Sequence, residues 1–475
     1  MKLQEALDEE VFDILAQASK SLGIRSYVIG GYVRDYLMRD LYDRHESRKD
    51  IDIVVEGRGI DLARKFGELV GAKDVVVYEN FGTAMVPFQD YSVEFVGARK
   101  ESYQRNSRKP IVEEGTLEDD QLRRDFTINA LSISLNEEDF AHLHDPFEGV
   151  QDLKDGIIRT PTDPDITFSD DPLRMIRAIR FATRFGFHIE ERTYKAIIKN
   201  RQRITIVSKE RINDELNKII MTEKPSRGFD LLFRTGLLKL VFPELHNMHG
   251  IDYVNGRGHK DNFYHTLQVL DNISIKSDNL WLRWVAILHD IAKPLTKRYH
   301  PQHGWTFHGH EDRGGRLVPK IFRNMKLPLN EHMKYVQKLV FLHQRPIALV
   351  NEEVSDSAIR RLVVDAGEDL NDLLEFCRAD ITSKNEKKVT RFLRNYEVLE
   401  KRIHEVEQRD NLRNWQPPIT GNEIMETFKL PPSRAVGQIK TEIREAILDG
   451  VIPNEVDAAR AFMMEIAPKY LEPKP

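Results

Sequence analysis

A single cysteine, Cys377, leaves no partner for an intramolecular disulfide and no thiolate pair for a Cys-based zinc knuckle. It reads as a small core residue in a protein of a reducing compartment. Long apolar runs are missing as well: no stretch approaches the ~18–20 residues of a membrane span. The opening MKLQEALDEEVFDIL is acidic and amphipathic, without the basic start and apolar run of a signal peptide. These absences predict a cytoplasmic protein with no membrane partner. Excess charge of one sign is lacking too. The balance of 71 Lys+Arg against 76 Asp+Glu, net -5, excludes a uniformly basic nucleic-acid coat but says nothing about local patches. There is no GxxxxGK[ST] loop, no internal repeat and no low-complexity tract. The segment GRGHKD (Gly256 to Asp261) has neither the spacing nor the Ser/Thr of a phosphate loop.

The hydrophobic fraction of 40% excludes whole-chain disorder, and 475 residues exceed one ordinary core, so three or four domains are expected. Leu7, Val11, Ile14, Leu15, Ala18 and Leu22 recur at helical spacing, followed by a short apolar strand, Tyr27-Val28-Ile29. To about residue 96, β-rich runs (Ile51 to Val55, Val75 to Tyr78, Ala84 to Phe88, Val93 to Val96) alternate with helical stretches such as Asp61 to Val70. Beyond about residue 170 helical periodicity dominates. The fold class expected is α+β: a small mixed-sheet head (1–150), an all-α neck (151–245), a helical body (246–390) and a helical tail (391–475).

In the head, Gly30-Gly31-Tyr32-Val33-Arg34-Asp35 follows a strand and enters a helix, so backbone amides there can approach a phosphate; an ordinary turn would look the same. Asp50-Ile51-Asp52 opens the next apolar strand. Residues i and i+2 share a strand face, so Asp50 and Asp52 project together and repel unless a cation lies between them. Hard oxygen ligands suit Mg²⁺ completed by substrate phosphates, although a lone Asp-X-Asp is more often a solvated strand end. Glu94, on a later strand, offers a third carboxylate. Near the neck, Asp170 or Asp171 is placed to cap a helix, Pro172 fits its first turn, and Arg174 follows Asp171 at i+3. That pair is either a cap with a surface ion pair or an acceptor and a bidentate donor that engage a base edge. From Arg174 to Arg211 eleven basic residues face three acids, a +8 block that serves as an RNA surface or as a solvated helix face.

GGYVRD, the KDIDIVVEG strand, VEFVGARKESY, RRDFTINAL (Arg123 to Leu131) and DPLRMIRAIRFATRFGF together resemble, in order and spacing over about residues 20–220, the class II nucleotidyltransferases. That family contains tRNA CCA-adding enzymes and bacterial poly(A) polymerases. The resemblance implies that Asp50, Asp52 and Glu94 are catalytic, with Mg²⁺ on the two aspartates in a two-metal mechanism. It implies nucleotide binding by Gly30, Gly31, Arg34, Arg124, Asp125 and Asn129, base reading by Asp171 and Arg174, and RNA binding by Arg177, Arg180 and Arg184. The polar, basic stretch ARKESYQRNSRKPIVEEG resembles the flexible loop of members that add the terminal A. The tail from PPITG resembles that of bacterial members carrying an HD domain; Lys429, Arg434 and Lys440 there touch RNA or solvent.

Further on, His265, His289-Asp290, His310, His343 and Asp380 lie in helical patterns. Adjacent His and Asp project about 100° apart on a helix and reach one ion only if other helices supply ligands. The ordered set resembles the HD superfamily of metal-dependent phosphohydrolases over about residues 260–385. The resemblance implies His265, His289, Asp290 and Asp380 as the core ligands and His310 and His343 as those of a second metal. Imidazoles with carboxylates suit Mn²⁺, Ni²⁺, Fe²⁺ or Zn²⁺. Either this body hydrolyses a phosphoester, or it is an RNA-holding body with a vestigial site. The expected function is untemplated addition of CMP and AMP, from CTP and ATP, to the 3′ end of tRNA. A poly(A) polymerase, an HD phosphohydrolase with a nucleotide-binding head, and an inactive tRNA-binding protein are the alternatives. Oligomeric state is open.

Overall fold

The computed structural model describes residues 2–42, 50–79, 82–102, 111–350, 355–383, 385–410 and 417–471. The chain divides into two compact units, 1–246 and 247–475.

The first unit is built on nine strands: β1 (Arg25–Ile29), β2 (Asp50–Glu56), β3 (Val76–Tyr78), β4 (Thr83–Phe88), β5 (Tyr91–Gly97), β6 (Arg99–Ser102), β7 (Ile111–Glu114), β8 (Ser132–Ser134) and β9 (Leu143–His144). Seven form one mixed sheet in the order β3-β4-β5-β2-β1-β8-β9. β1 runs antiparallel to β2, and β2 runs parallel to β5 with Asp52 opposite Glu94. Val28, Ile51, Val54, Val55 and Phe95 are fully buried, and each such side chain stabilises the head by about 1.5–3 kcal/mol. Helices Glu10–Leu22 and Gly59–Val70 pack on one another over the sheet. Their apolar positions recur at helical spacing, and each ends on a left-handed glycine, Gly23 or Gly71. β6 and β7 pair as the two arms of the loop expected after residue 98; its tip, residues 103–110, lies outside the described residues.

Helices Leu173–Phe185, Lys209–Ile220 and Pro225–Arg234 pack together behind the head. Gly228 permits their closest approach, since a Cβ there would stand 2.5 Å from Ile219 and 2.9 Å from Thr183. The expected α+β class holds, a mixed-sheet head followed by a helical remainder interrupted only by short strand pairs among the described residues. Ile157–Ile158 pairs with His188–Ile189, and two hairpins, Tyr253–Gly258 and Arg298–Thr306, lie in the second unit. Strands of two or three residues are too short to display a period of two.

In the second unit, helices Asn262–Ser274, Leu280–Leu288, His310–Met325, Glu331–Leu342 and Leu370–Ala379 surround a core that includes Trp284, Val285, Phe322 and Phe376. The long helix Glu386–Asp410 and the helices Gly421–Phe428, Arg434–Leu448 and Val456–Ile466 follow. Among the described residues no helix is long and apolar enough to cross a membrane.

Candidate nucleotidyl-transfer and metal sites

The carboxylate face of the head follows from strand geometry. Along β2, Ile51 and Ile53 are buried while Asp50 is exposed and Asp52 half-buried, so the two aspartates share the open face. Parallel register places Glu94 beside Asp52 on that face. Burial raises the Asp52 carboxyl above its ordinary range, Asp50 and Asp120 add to this, and Arg124 opposes it. Glu94 is raised by burial and by Asp52 and Asp50. Three carboxyls on one face, two of them raised by burial and by neighbouring acids, are a fit for divalent cations, which would relieve the repulsion.

Gly30 ends β1 with φ +78°, and a Cβ there would lie 2.9 Å from an Arg124 guanidinium nitrogen and 3.5 Å from an Asp52 oxygen. Gly31 begins the helix Gly31–Tyr42. A Gly30→Ala variant is expected to lose about 1–2 kcal/mol of stability to the left-handed conformation. It should also push Arg124 off its position, lowering transfer kcat/KM by about tenfold. Thermal unfolding and initial rates with tRNA and ATP check both.

Arg34 and Asn129 are buried, and Asp125 is buried in the lining of the cleft. Arg34 is 5% exposed, donates to Asp35 at 2.7 Å and to Asn129 at 2.6 Å, and lies over the rings of Phe181 and Phe185. Asp125 accepts from the Phe126 amide, from Asn129 and from Arg177. Burial works against its charge, but Arg177 and Asn129 prevail and hold the carboxyl down at about 2. Asp125 thus enters the cleft as an ionised carboxylate braced by Arg177 and Asn129.

Asp171 and Arg174 are joined through the backbone, the Arg174 amide donating to the Asp171 carbonyl at 3.0 Å, while their side chains take other partners. Asp171 precedes the helix with extended backbone, accepts from the Leu173 amide at 3.1 Å and from Arg211 at 2.9 Å, and Arg174 donates to the Arg123 carbonyl at 2.5 Å. Both nevertheless line one cleft with Arg123, Arg124, Asp125, Arg177 and Arg211. Arg211 was not singled out from the sequence, because its partnership with Asp171 spans 40 residues.

The three arginines expected to bind RNA stand in different surroundings. Arg180 is 7% exposed, pairs with Glu215 at 2.5 Å and stacks on Phe181. Arg177 pairs with Asp125 at 2.7 Å and faces Glu215 at 3.7 Å. Arg184 stays exposed beside Phe185. Within the +8 block, Lys199 pairs with Asp165, Lys195 with Glu191 and Arg211 with Asp171. The block's net charge is partly offset by acids outside it: Asp165, Asp171 and Glu215 close to its ends, and Asp125 far back in the chain.

In the second unit all six expected ligands converge. His265 sits in the first turn of its helix, His310 begins another, and His289, His343 and Asp380 each follow a helix end. One oxygen of Asp290 faces His265 at 3.5 Å and His289 at 3.1 Å; its other faces His310 at 3.2 Å and His343 at 4.0 Å. Asp380 lies 2.9 Å from His265 and 3.6 Å from His289. Among the described residues, ligand atoms of His265, His289 and Asp290, and of Asp290, His310 and His343, each gather within 4.8 Å. Nδ1 of His289, His310 and His343 meets the carbonyl of Ala286, Phe307 and Val340 respectively at 2.7–2.8 Å, leaving each Nε2 directed at the centre. Nε2 of His289, both oxygens of Asp290 and one of Asp380 are buried with charged neighbours at ion-pair distance but without a well-directed hydrogen bond. Orphaned buried acceptors are costly, and these donors fit divalent metal ions. Lys293 reaches Asp290 at 2.6 Å, and Lys260 reaches Nδ1 of His265 at 3.1 Å.

The chain matches the Poly A polymerase head domain over residues 26–159, the probable RNA and SrmB-binding site of polymerase A over 186–248, and the HD domain over 262–380. It is 32% identical over 362 residues to an A-adding tRNA nucleotidyltransferase of Deinococcus radiodurans, covering 74% of this chain and 80% of the relative. A multifunctional CCA protein of Shewanella frigidimarina is 31% identical over 321 residues, 65% of this chain and 71% of that one. The fold follows that of the Bacillus stearothermophilus CCA-adding enzyme solved with CTP, with TM-score 0.63 at 21% identity over 97% and 98% of the two chains. This chain belongs to the tRNA nucleotidyltransferase family and is an enzyme of that class, with a polymerase-type head and an HD domain on one polypeptide.

Proposed function

We propose that this enzyme builds the CCA end of tRNA from CTP and ATP without a nucleic-acid template. The observation that carries this reading is the cleft in which the Asp171 carboxylate stands among the guanidiniums of Arg174 and Arg211. Cytosine and adenine both present an exocyclic amino donor, and each has a ring-nitrogen acceptor beside it. An acceptor set beside a guanidinium donor matches both edges and leaves uracil and guanine, with a carbonyl in the amino position, mispaired.

In the reaction the RNA 3′-hydroxyl oxygen bonds to the α-phosphorus, its proton is lost to water, the α–β anhydride bond breaks and pyrophosphate leaves. Asp50 and Asp52 would hold Mg²⁺, which supplies charge stabilisation at the attacking and leaving oxygens. Glu94 lies beside Asp52 to steady that charge, and Arg124 faces the phosphates from the Gly30 turn. We propose a four-part division into head (1–150), neck (151–245), HD body (246–390) and tail (391–475).

A narrower reading, addition of the terminal A alone, is favoured by the Deinococcus relative's name. Transcripts ending at the discriminator base, at C and at CC, each offered labelled CTP or ATP, separate the two. Incorporation of CMP on the first two followed by a single AMP is expected; AMP on the CC end alone would establish the narrower reading. Long A tails would overturn both. For the HD body, the orphaned acceptors around Asp290 favour a metal-dependent phosphohydrolase over a vestigial site.

A further inference from the structure

We propose that Asp120 is a positioning residue that sets both halves of the nucleotide site at once, holding Arg124 toward Gly30 and Asp52 and holding Arg123 beneath Arg174. This rests on the nucleotidyl-transfer reading. Asp120 lies on the short helix Leu117–Leu122 and is 0% exposed. One of its oxygens accepts from Nε and Nη2 of Arg124, both at 3.1 Å; the other accepts from Nε of Arg123 at 2.8 Å and from the same residue's Nη2. Two consecutive arginines are therefore fixed by one carboxylate, an oxygen each, in the fork geometry that gives guanidiniums their directional hold.

The consequences diverge from there. Asp120 engages Nε and Nη2 of Arg124, and Nη1 is the atom that stands 2.9 Å from the Cβ position of Gly30. That nitrogen is aimed at the turn where a triphosphate would lie. On the other side, the Arg123 carbonyl receives Nη2 of Arg174 at 2.5 Å. Fixing the Arg123 side chain fixes the peptide on which the base-reading arginine leans.

A staple for the helix would explain the buried acid equally well were the helix not already secured. Its N-terminus is closed by a reciprocal cap between Thr116 and Asp119. Gln121 ties it to the Ala130 carbonyl at 2.7 Å, the Ser132 hydroxyl at 3.2 Å and the His144 carbonyl at 3.3 Å. The side-chain partners of Asp120 are the two arginines.

The test uses the full-length enzyme with tRNA ending in CC, and compares Asp120→Asn with Gln121→Ala and wild type. Asp120→Asn is expected to raise KM for ATP by about 10- to 100-fold and to increase misincorporation of UMP and GMP relative to AMP, a cost consistent with misplacement on the scale of an ångström. Gln121→Ala should lower the melting temperature while leaving KM and base selection as in wild type. If Asp120→Asn folds and only its melting temperature moves, as in the Gln121 variant, the proposal is overturned. If it does not fold, Arg124→Lys and Arg123→Lys decide: the proposal requires the first to raise KM and the second to weaken base selection, and it fails if either effect is missing. A wild-type enzyme that transfers no nucleotide to any tRNA end would instead sink the reading on which this one rests.

Discussion

Replacing Asp52 by asparagine is expected to lower nucleotidyl transfer by about 10⁴-fold, the scale on which removing one member of an interdependent catalytic set acts. The same change should leave the metal-free protein no less stable. The reason lies in the sign of the carboxyl's perturbation. Burial raises Asp52, and Asp50 and Asp120 raise it further against the pull of Arg124. A carboxyl whose folded value lies above its unfolded one opposes folding at neutral pH and relaxes that opposition as pH falls through the raised value. A neutral asparagine removes the opposition permanently. Asp125 carries the reverse sign: held at about 2, it contributes stability above the ordinary carboxyl range that is lost as pH falls toward 2. Asp52→Asn is thus distinguished from a variant that merely unfolds. Rates with tRNA and ATP, beside thermal unfolding in chelator at pH 7, read out the pair. Transfer within tenfold of wild type would remove Asp52 from the metal-binding role.

The contrast between Asp52 and Asp120 also shows what the sequence made legible. Asp50 and Asp52 were visible because a strand has a period of two and the isoleucines between them declare which face is buried. Glu94 was a plausible third acid, but only the parallel pairing of β2 with β5 places it opposite Asp52. Asp120 was invisible. In the run TLEDDQL an acid near a helix start reads as a solvated first-turn residue, and nothing local announces that two arginines fold back onto it. The +8 window failed for a related reason, since Glu215 and Asp125 neutralise Arg177 and Arg180 from outside it. Charge along the chain is countable; its pairing is tertiary. The metal ligands of the second unit were found as an ordered set because their order and spacing resemble the HD superfamily. What could not be read was the role of Asp290 as the shared carboxylate, which depends on how the helices bring both of its oxygens to face histidines.

That shared role supports the second large expectation. Asp290→Ala should abolish metal retention in the HD body, whereas His343→Ala should reduce it from two ions per chain to one. Asp290 belongs to both ligand groups, and His343 to one. Metal content after dialysis, measured by elemental analysis, reads this without reference to any hydrolytic activity. Removing the ions should also expose the cost of the orphaned acceptors. An ion at about 1,000 times its Kd stabilises the folded unit by about 4 kcal/mol, so chelation should lower the melting temperature of the second unit. The pH dependence follows from the imidazoles. Burial lowers His343 to about 3, with the His289 charge helping, so His343 is neutral and ready to ligate throughout the physiological range. Burial works against protonated His289 too, but Asp290 and Asp380 overcome it and raise its value. Without metal His289 therefore keeps its proton to higher pH than a free histidine, and loses it on binding. Metal affinity should fall as pH drops through that raised value, with proton release when the His265, His289 and Asp290 group takes its ion below it. Calorimetric titration in buffers of different ionisation enthalpy measures the proton count. Release of no proton, or retention of two ions by Asp290→Ala, would show that Asp290 and His289 do not hold the metal.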